Sequence, residues 1–180
     1  MPLRPDQLER LKLQPLALYA LLEGVAVGHS RSAANLEGVA VGHTGPAQGV
    51  PEAILAGHPL LEKWSALENI AHLARYHEVF SSRLEQMLST PGQPLVRYKA
   101  ENDPDWPRWQ ALNSRAVLGE FRRLRADLQA KLEALSDEQL AHTGLHPVFG
   151  LLDVPTMLEM LLFHEGHHLY VAFQCIYEQR

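Results

Sequence analysis

Cysteine is almost absent: the 180-residue chain contains one, Cys175, so no intrachain disulfide is possible. A structural zinc site built from several thiolates is excluded for the same reason. Long apolar runs are also missing. No stretch reaches the ~18 to 20 uninterrupted apolar residues of a membrane span, and the chain is predicted to have no membrane partner. There is no excess of positive charge either. Sixteen Lys and Arg stand against 21 Asp and Glu, a formal net charge of -5, which argues against a nucleic-acid partner. Arg122, Arg123 and Arg125 form the one dense basic run, and helical spacing spreads it over what reads as a solvated face. The first residues, Met1 to Asp6, lack a signal-peptide apolar core and cleavage site, so a cytoplasmic location is expected.

What the chain does have is 46% hydrophobic residues and no dividing linker, the composition of one globular domain over 1–180. Its apolar residues recur at helical spacing. Asp6 is positioned to cap a first helix running past Pro15 to Leu22. Pro51 to Ala56 reads as a helical turn ended by Gly57. Ser65-Ala66-Leu67-Glu68 is a capping box that opens a helix to Met87 or Leu88, with Ile70, Leu73, Phe80, Leu84 and Met87 on its apolar stripe. Pro107 to Leu135 is predicted as one long helix, and Ser136 to Gln139 as a second capping box. Thr143 to Leu152 reads as a β-hairpin or extended loop, and Thr156 to Glu159 as the cap of a final helix. The predicted class is all-α, a four-helix bundle with a short hairpin before the last helix.

One segment stands apart. Leu22-Glu23-Gly24-Val25-Ala26-Val27-Gly28-His29 recurs unchanged as Leu36 to His43, an exact tandem duplication within 22–43. One copy beyond the first is too few for a solenoid, so it is expected to lengthen a loop or helix end, with a hairpin between copies as the alternative. His29 and His43 read as loop residues.

Ten histidines is a high number for this length. His164 and His168 lie four residues apart on the final helix, which stacks both imidazoles on one face within reach of one ion. His164-Glu165-Gly166-His167-His168 also satisfies the zinc-peptidase pattern His-Glu-x-x-His. The peptidase reading is disfavoured, because the helix continues through Leu169 to Cys175 and leaves no room for a downstream third ligand. That ligand must come from upstream, where His72 and His77 share the capped helix. Periodicity does not choose between them.

The segment Trp64-Ser65-Ala66-Leu67-Glu68-Asn69-Ile70-Ala71-His72, combined with His164-x-x-His167-His168, resembles the DinB superfamily of bacterial metalloproteins. The likeness is closest to its YfiT-like branch of metal-dependent hydrolases and bacillithiol S-transferases, and it covers most of 51–175. It implies a metal set of His72, His164 and His168. It also implies homodimerisation, and partners consisting of a small-molecule electrophile and a low-molecular-weight thiol. Three imidazoles on a divalent ion leave a coordination position open, as in catalytic zinc. All-nitrogen ligation suits zinc or nickel. Such an ion lowers the pKa of water, giving a hydrolase, or of a thiol, giving a transferase.

The alternative from a different class is a non-catalytic, stress- or damage-associated metal- or ligand-binding protein. No residue is assigned a catalytic role. Glu68, Tyr76, Glu165 and Trp106 are candidates for the pocket or for contacts to the ligating histidines. Glu165 points about 100° around the helix from His164, toward solvent or another helix. Tyr76, Trp106 and Trp109 read as core aromatics or as a substrate mouth, His167 as a packing or interface residue, and Cys175 as core.

Overall fold

The structure is a computed structural model, and it describes residues 3, 5–22, 49–60 and 63–179. The 23–48 stretch lies outside them, and with it most of the duplication, His29, His43 and the proposed hairpin. The elements in order are α1 (Pro5–Leu22), α2 (Glu52–Ala56), α3 (Ala66–Ser89), a 3-10 turn (Ala100–Asn102), α4 (Trp106–Gln110), α5 (Ser114–Glu133), α6 (Asp137–Leu140), β1 (Thr143–His146), β2 (Gly150–Asp153) and α7 (Val154–Glu178).

Four long helices make the bundle. α3 packs on both α5 and α7, and α1 touches α7 and α5, which closes the ring. The all-α expectation holds, with its short antiparallel hairpin, β1 and β2, before α7. Among the described residues no helix is long and apolar enough to cross a membrane.

Local chemistry accounts for most boundaries. The Ser65 side chain accepts from the Glu68 amide while Glu68 accepts from the Ser65 amide, the predicted reciprocal cap. The Ser136 and Gln139 pair repeats the device for α6. All five expected α3 stripe residues are buried. Three boundaries differ from expectation. α1 begins at Pro5, so Asp6 lies inside its first turn rather than capping it. α7 is capped by Asp153, which accepts from the Thr156 amide at 2.9 Å, so strand β2 ends directly in the cap. The long helix expected over Pro107 to Leu135 is two helices. Asn113 caps α5 by accepting from the Ala116 amide, and Glu52 of α2 accepts from the Ser114 amide. That second contact is tertiary, and a helical periodicity carries no sign of it.

The core divides along the bundle. One cluster centres on Trp109, Phe121, Ile70 and Leu18, the other on Phe80, Leu84, Leu128 and Leu158. The hairpin is fastened to the segment that follows α3: the Leu95 amide donates to the Leu145 carbonyl, the Leu145 amide to the Gln93 carbonyl, and the Gly92 amide to the Thr143 carbonyl. Gly144 is required there, because a Cβ would fall 2.8 Å from side-chain atoms of both Leu95 and Met87. Gly150, at φ +77, turns the hairpin where other residues would be strained.

Candidate metal centre and its pocket

His72 on α3 and His164 and His168 on α7 meet where the two helices pack. One ring nitrogen of each lies within 4.8 Å of the others. The Nε2 atoms of His72 and His164 are 3.1 Å apart. Tetrahedral ligation with metal–nitrogen distances of about 2.0–2.1 Å separates its nitrogens by about 3.4 Å. The pair therefore already stands near coordination spacing.

The donor set also fits an ion in its protonation. Burial, with a neighbouring imidazole second, pushes His72, His164 and His168 each down to about 3. Neutral rings present lone pairs rather than competing protons. Nδ1 of His72 and of His164 is buried without a partner among the described residues. His168 differs, since its Nδ1 donates to Asn69 Oδ1 at 2.8 Å and leaves Nε2 as the lone-pair nitrogen.

Aromatic rings pack round the cluster. Trp64 lies 5.0 Å from the His72 ring and stacks at 6.0 Å on His168. Tyr76 sits 4.2 Å from His164, and Tyr98 stacks on His72. The three histidines line a pocket of about 610 Å³ together with Tyr76, Arg83 and His146. Phe149 on the hairpin and Phe163 on α7 line it too, and both are largely exposed.

The remaining candidates separate. Tyr76 lines the pocket. Trp106 is buried against Trp64 at 5.1 Å and meets the His72 ring edge-on at 6.2 Å. Glu68 stays in its capping box and accepts from Gln110, with no contact to a histidine of the cluster. Glu165 is 1% exposed, forms no part of the pocket lining, and pairs with Arg125 of α5. Of the two orientations open to it, it takes the one toward another helix. His77, the other upstream candidate, is fully buried with its Nδ1 donating to Leu73 O at 2.7 Å and its Nε2 3.4 Å from Glu165. His167 is exposed on the pocket rim and Cys175 is buried in the core.

Arg125 corrects the reading of the basic run as a solvated face: it is 5% exposed. The signal was present. Phe121, Arg125, Leu128 and Leu132 follow i, i+4, i+7, i+11, so Arg125 occupies the buried stripe of α5. Sequence reasoning also missed Asn69, one turn before His72, and Arg83, two turns beyond Tyr76.

The model of the DinB superfamily matches residues 44–172. Among solved structures, YfiT from Bacillus subtilis, described as a probable metal-dependent hydrolase with an unusual four-helix bundle topology, superposes with a TM-score of 0.68. That alignment has 16% identity and covers 94% of this chain and 83% of that one. At such identity the likeness is one of fold. No curated protein matches the chain.

Proposed function

The chain belongs to the DinB superfamily, and from that premise we propose that it is a metal-dependent enzyme acting on a small electrophilic substrate, with water or a low-molecular-weight thiol as the nucleophile. The observation that carries this reading is the convergence of His72, His164 and His168 in the wall of an open pocket. These three residues would hold a divalent ion, zinc or nickel by donor type. When bound, such an ion supplies Lewis acidity and lowers the pKa of a coordinated water or thiol.

The protein's own contributions are binding, orientation and exclusion of water. Asn69 holds the His168 ring in one tautomer. Trp64 and Tyr98 pack against the imidazoles and keep bulk solvent from their flanks. Among the described residues no carboxylate hydrogen-bonds or pairs with the three histidines. That favours a nucleophile activated by lowering its own pKa, and a thiol needs less lowering than water. Transfer of a bacillithiol-type thiol is accordingly the first activity to test.

The peptidase reading loses its base. Glu165, the Glu of His-Glu-x-x-His, is turned into the core and held by Arg125. A non-catalytic metal-binding protein is the competing class. The distinguishing experiment screens electrophiles with bacillithiol-type thiols, with and without a chelator. Conjugation that disappears on chelation and returns with zinc or nickel supports the enzyme. Stoichiometric metal with no turnover of any thiol or water substrate supports the binding protein. His72→Ala is expected to lose stoichiometric metal, and His77→Ala to keep it. A His72→Ala protein that retained the ion would overturn the site.

A further inference from the structure

Arg83 on α3 is a buried guanidinium, 6% exposed, that lines the pocket. Among the described residues its hydrogen-bond acceptors are both neutral, the Tyr76 hydroxyl at 3.0 Å and the Val96 carbonyl at 2.8 Å, and its Nε–H has no partner. Among the described residues Arg10, Arg75, Arg123 and Arg125 each pair with a carboxylate, and Arg83 pairs with none. A buried charge without a counter-charge is costly, which makes an external anion its natural partner.

The surroundings have the same sign. Arg97 and Lys99, both exposed, line the same pocket and form no ion pair with a described residue, and Glu101 is the one carboxylate in the lining. This is a cationic pocket in a chain of formal net charge -5. His146 adds a directed donor. Its Nδ1 accepts from the Val148 and Phe149 amides, each at 3.3 Å, which places the ring proton on Nε2, where no described residue takes it. Burial first, and the charge of Arg83 second, keep His146 below its ordinary value, so the ring is a neutral donor at neutral pH.

The position relative to the metal centre is also defined. Arg83 donates to the hydroxyl of Tyr76, whose ring lies 4.2 Å from that of His164. One tyrosine separates the guanidinium from the histidine cluster. We propose that this side of the pocket is an oxyanion subsite, in which a carboxylate or phosphate of the small-molecule substrate docks on Arg83 and His146 Nε2–H. Arg97 and Lys99 attract it at the mouth, and the reacting end of the molecule faces the three histidines. This deepens the proposed function and rests on the same pocket, yet it concerns side chains that the metal does not need.

The test uses full-length protein stripped of metal on a chelating resin, so that no soluble polycarboxylate competes. Inorganic phosphate and succinate are titrated separately by calorimetry, into wild type and Arg83→Gln. Saturable binding of at least one anion is expected, weakened about ten-fold or more in the variant. The tighter of the two identifies the oxyanion. The Arg97→Gln/Lys99→Gln variant alters only exposed side chains and is expected to bind a few-fold more weakly with a shallower salt dependence.

Three results would overturn the subsite: no saturable binding of either anion, an affinity unchanged in a folded Arg83→Gln, or binding that appears only after zinc loading. Should Arg83→Gln fail to fold, unchanged affinity and salt dependence in the double variant would overturn it equally. Failure of the metal-enzyme reading looks different, since anion binding would persist in a protein that takes up no stoichiometric metal.

Discussion

Asn69 Oδ1 accepts the Nδ1 proton of His168 at 2.8 Å, while its own amide nitrogen donates to the Ser65 carbonyl at 2.9 Å. The capping residue that starts α3 thus also orients the amide that orients a histidine on α7. Helix initiation and ring tautomer are coupled through one buried side chain.

Asn69→Leu removes that acceptor and frees the ring. Loss of such an outer partner typically costs 10–100-fold in metal affinity. We expect weaker zinc affinity by that order in competition with a chromophoric chelator, and largely restored affinity in Asn69→Asp. Equal affinity in wild type and Asn69→Leu would show that helix packing alone holds His168.

Arg125 and Glu165 form a buried ion pair that joins α5 to α7, with His77 of α3 against the same carboxylate. Burial raises the Glu165 carboxyl and Arg125 opposes that rise. Arg125→Met leaves the carboxylate uncompensated and is expected to cost about 3–5 kcal/mol in denaturant unfolding. Arg125→Met with Glu165→Leu should recover most of it and still bind metal. A double variant as unstable as the single one would mean that the pair is not the source of the loss.

Arg75 donates to both carboxylate oxygens of Asp103, at 2.6 and 3.1 Å, and thereby fastens the segment before α4 to α3. Arg75, ahead of any other cause, holds the Asp103 carboxyl below its ordinary range. The unfolded chain then binds this proton more readily than the folded one. The contribution is therefore fully present above the unfolded carboxylate pKa and is lost as pH falls through the lower folded value. Asp103→Asn is expected to lower stability by about 1–3 kcal/mol at neutral pH, with the gap to wild type closing as pH falls below about 4. A gap that stayed constant over that range would rule out the ionic origin.

Homodimerisation is a proposal supported by α7, which exposes Phe163, Tyr170 and Phe173 along its length. Large aromatics left at a surface mark contact sites. Light scattering is expected to give twice the chain mass for wild type and the single mass for Tyr170→Glu/Phe173→Glu. A wild-type monomer at micromolar concentration would end this idea.

Much of the fold was legible because its signals are local. The Ser65 and Ser136 capping boxes, the α3 stripe and the glycine-bounded hairpin depend on residues a few positions apart. The boundaries that differed depended on distant groups. Glu52 reaches Ser114 from α2, and no periodicity within 107–135 could show that the chain breaks there. Arg125 shows the opposite case, where the spacing placed it on the core face and its charge type hid the fact.

The site divides the same way. The sequence by itself determined that His164 and His168 share one face, since an α-helix returns to the same side every 3.6 residues. It also pointed upstream for a third ligand, because Leu169 to Cys175 continue the same helix. Which upstream histidine joins them was left open by periodicity; the family resemblance pointed to His72, and tertiary structure brings that residue to the pair. α3 packs on α7 so that His72 meets His164 while His77 turns toward Phe121 and Glu165. Tertiary structure likewise decided that the Glu of His-Glu-x-x-His is a core residue, and that Arg83 stands beside the pocket with no counter-charge among the described residues. The physical reason is common to all three. Spacing along a helix determines an angle about its axis, whereas the partner at that angle is set by another helix far away in sequence.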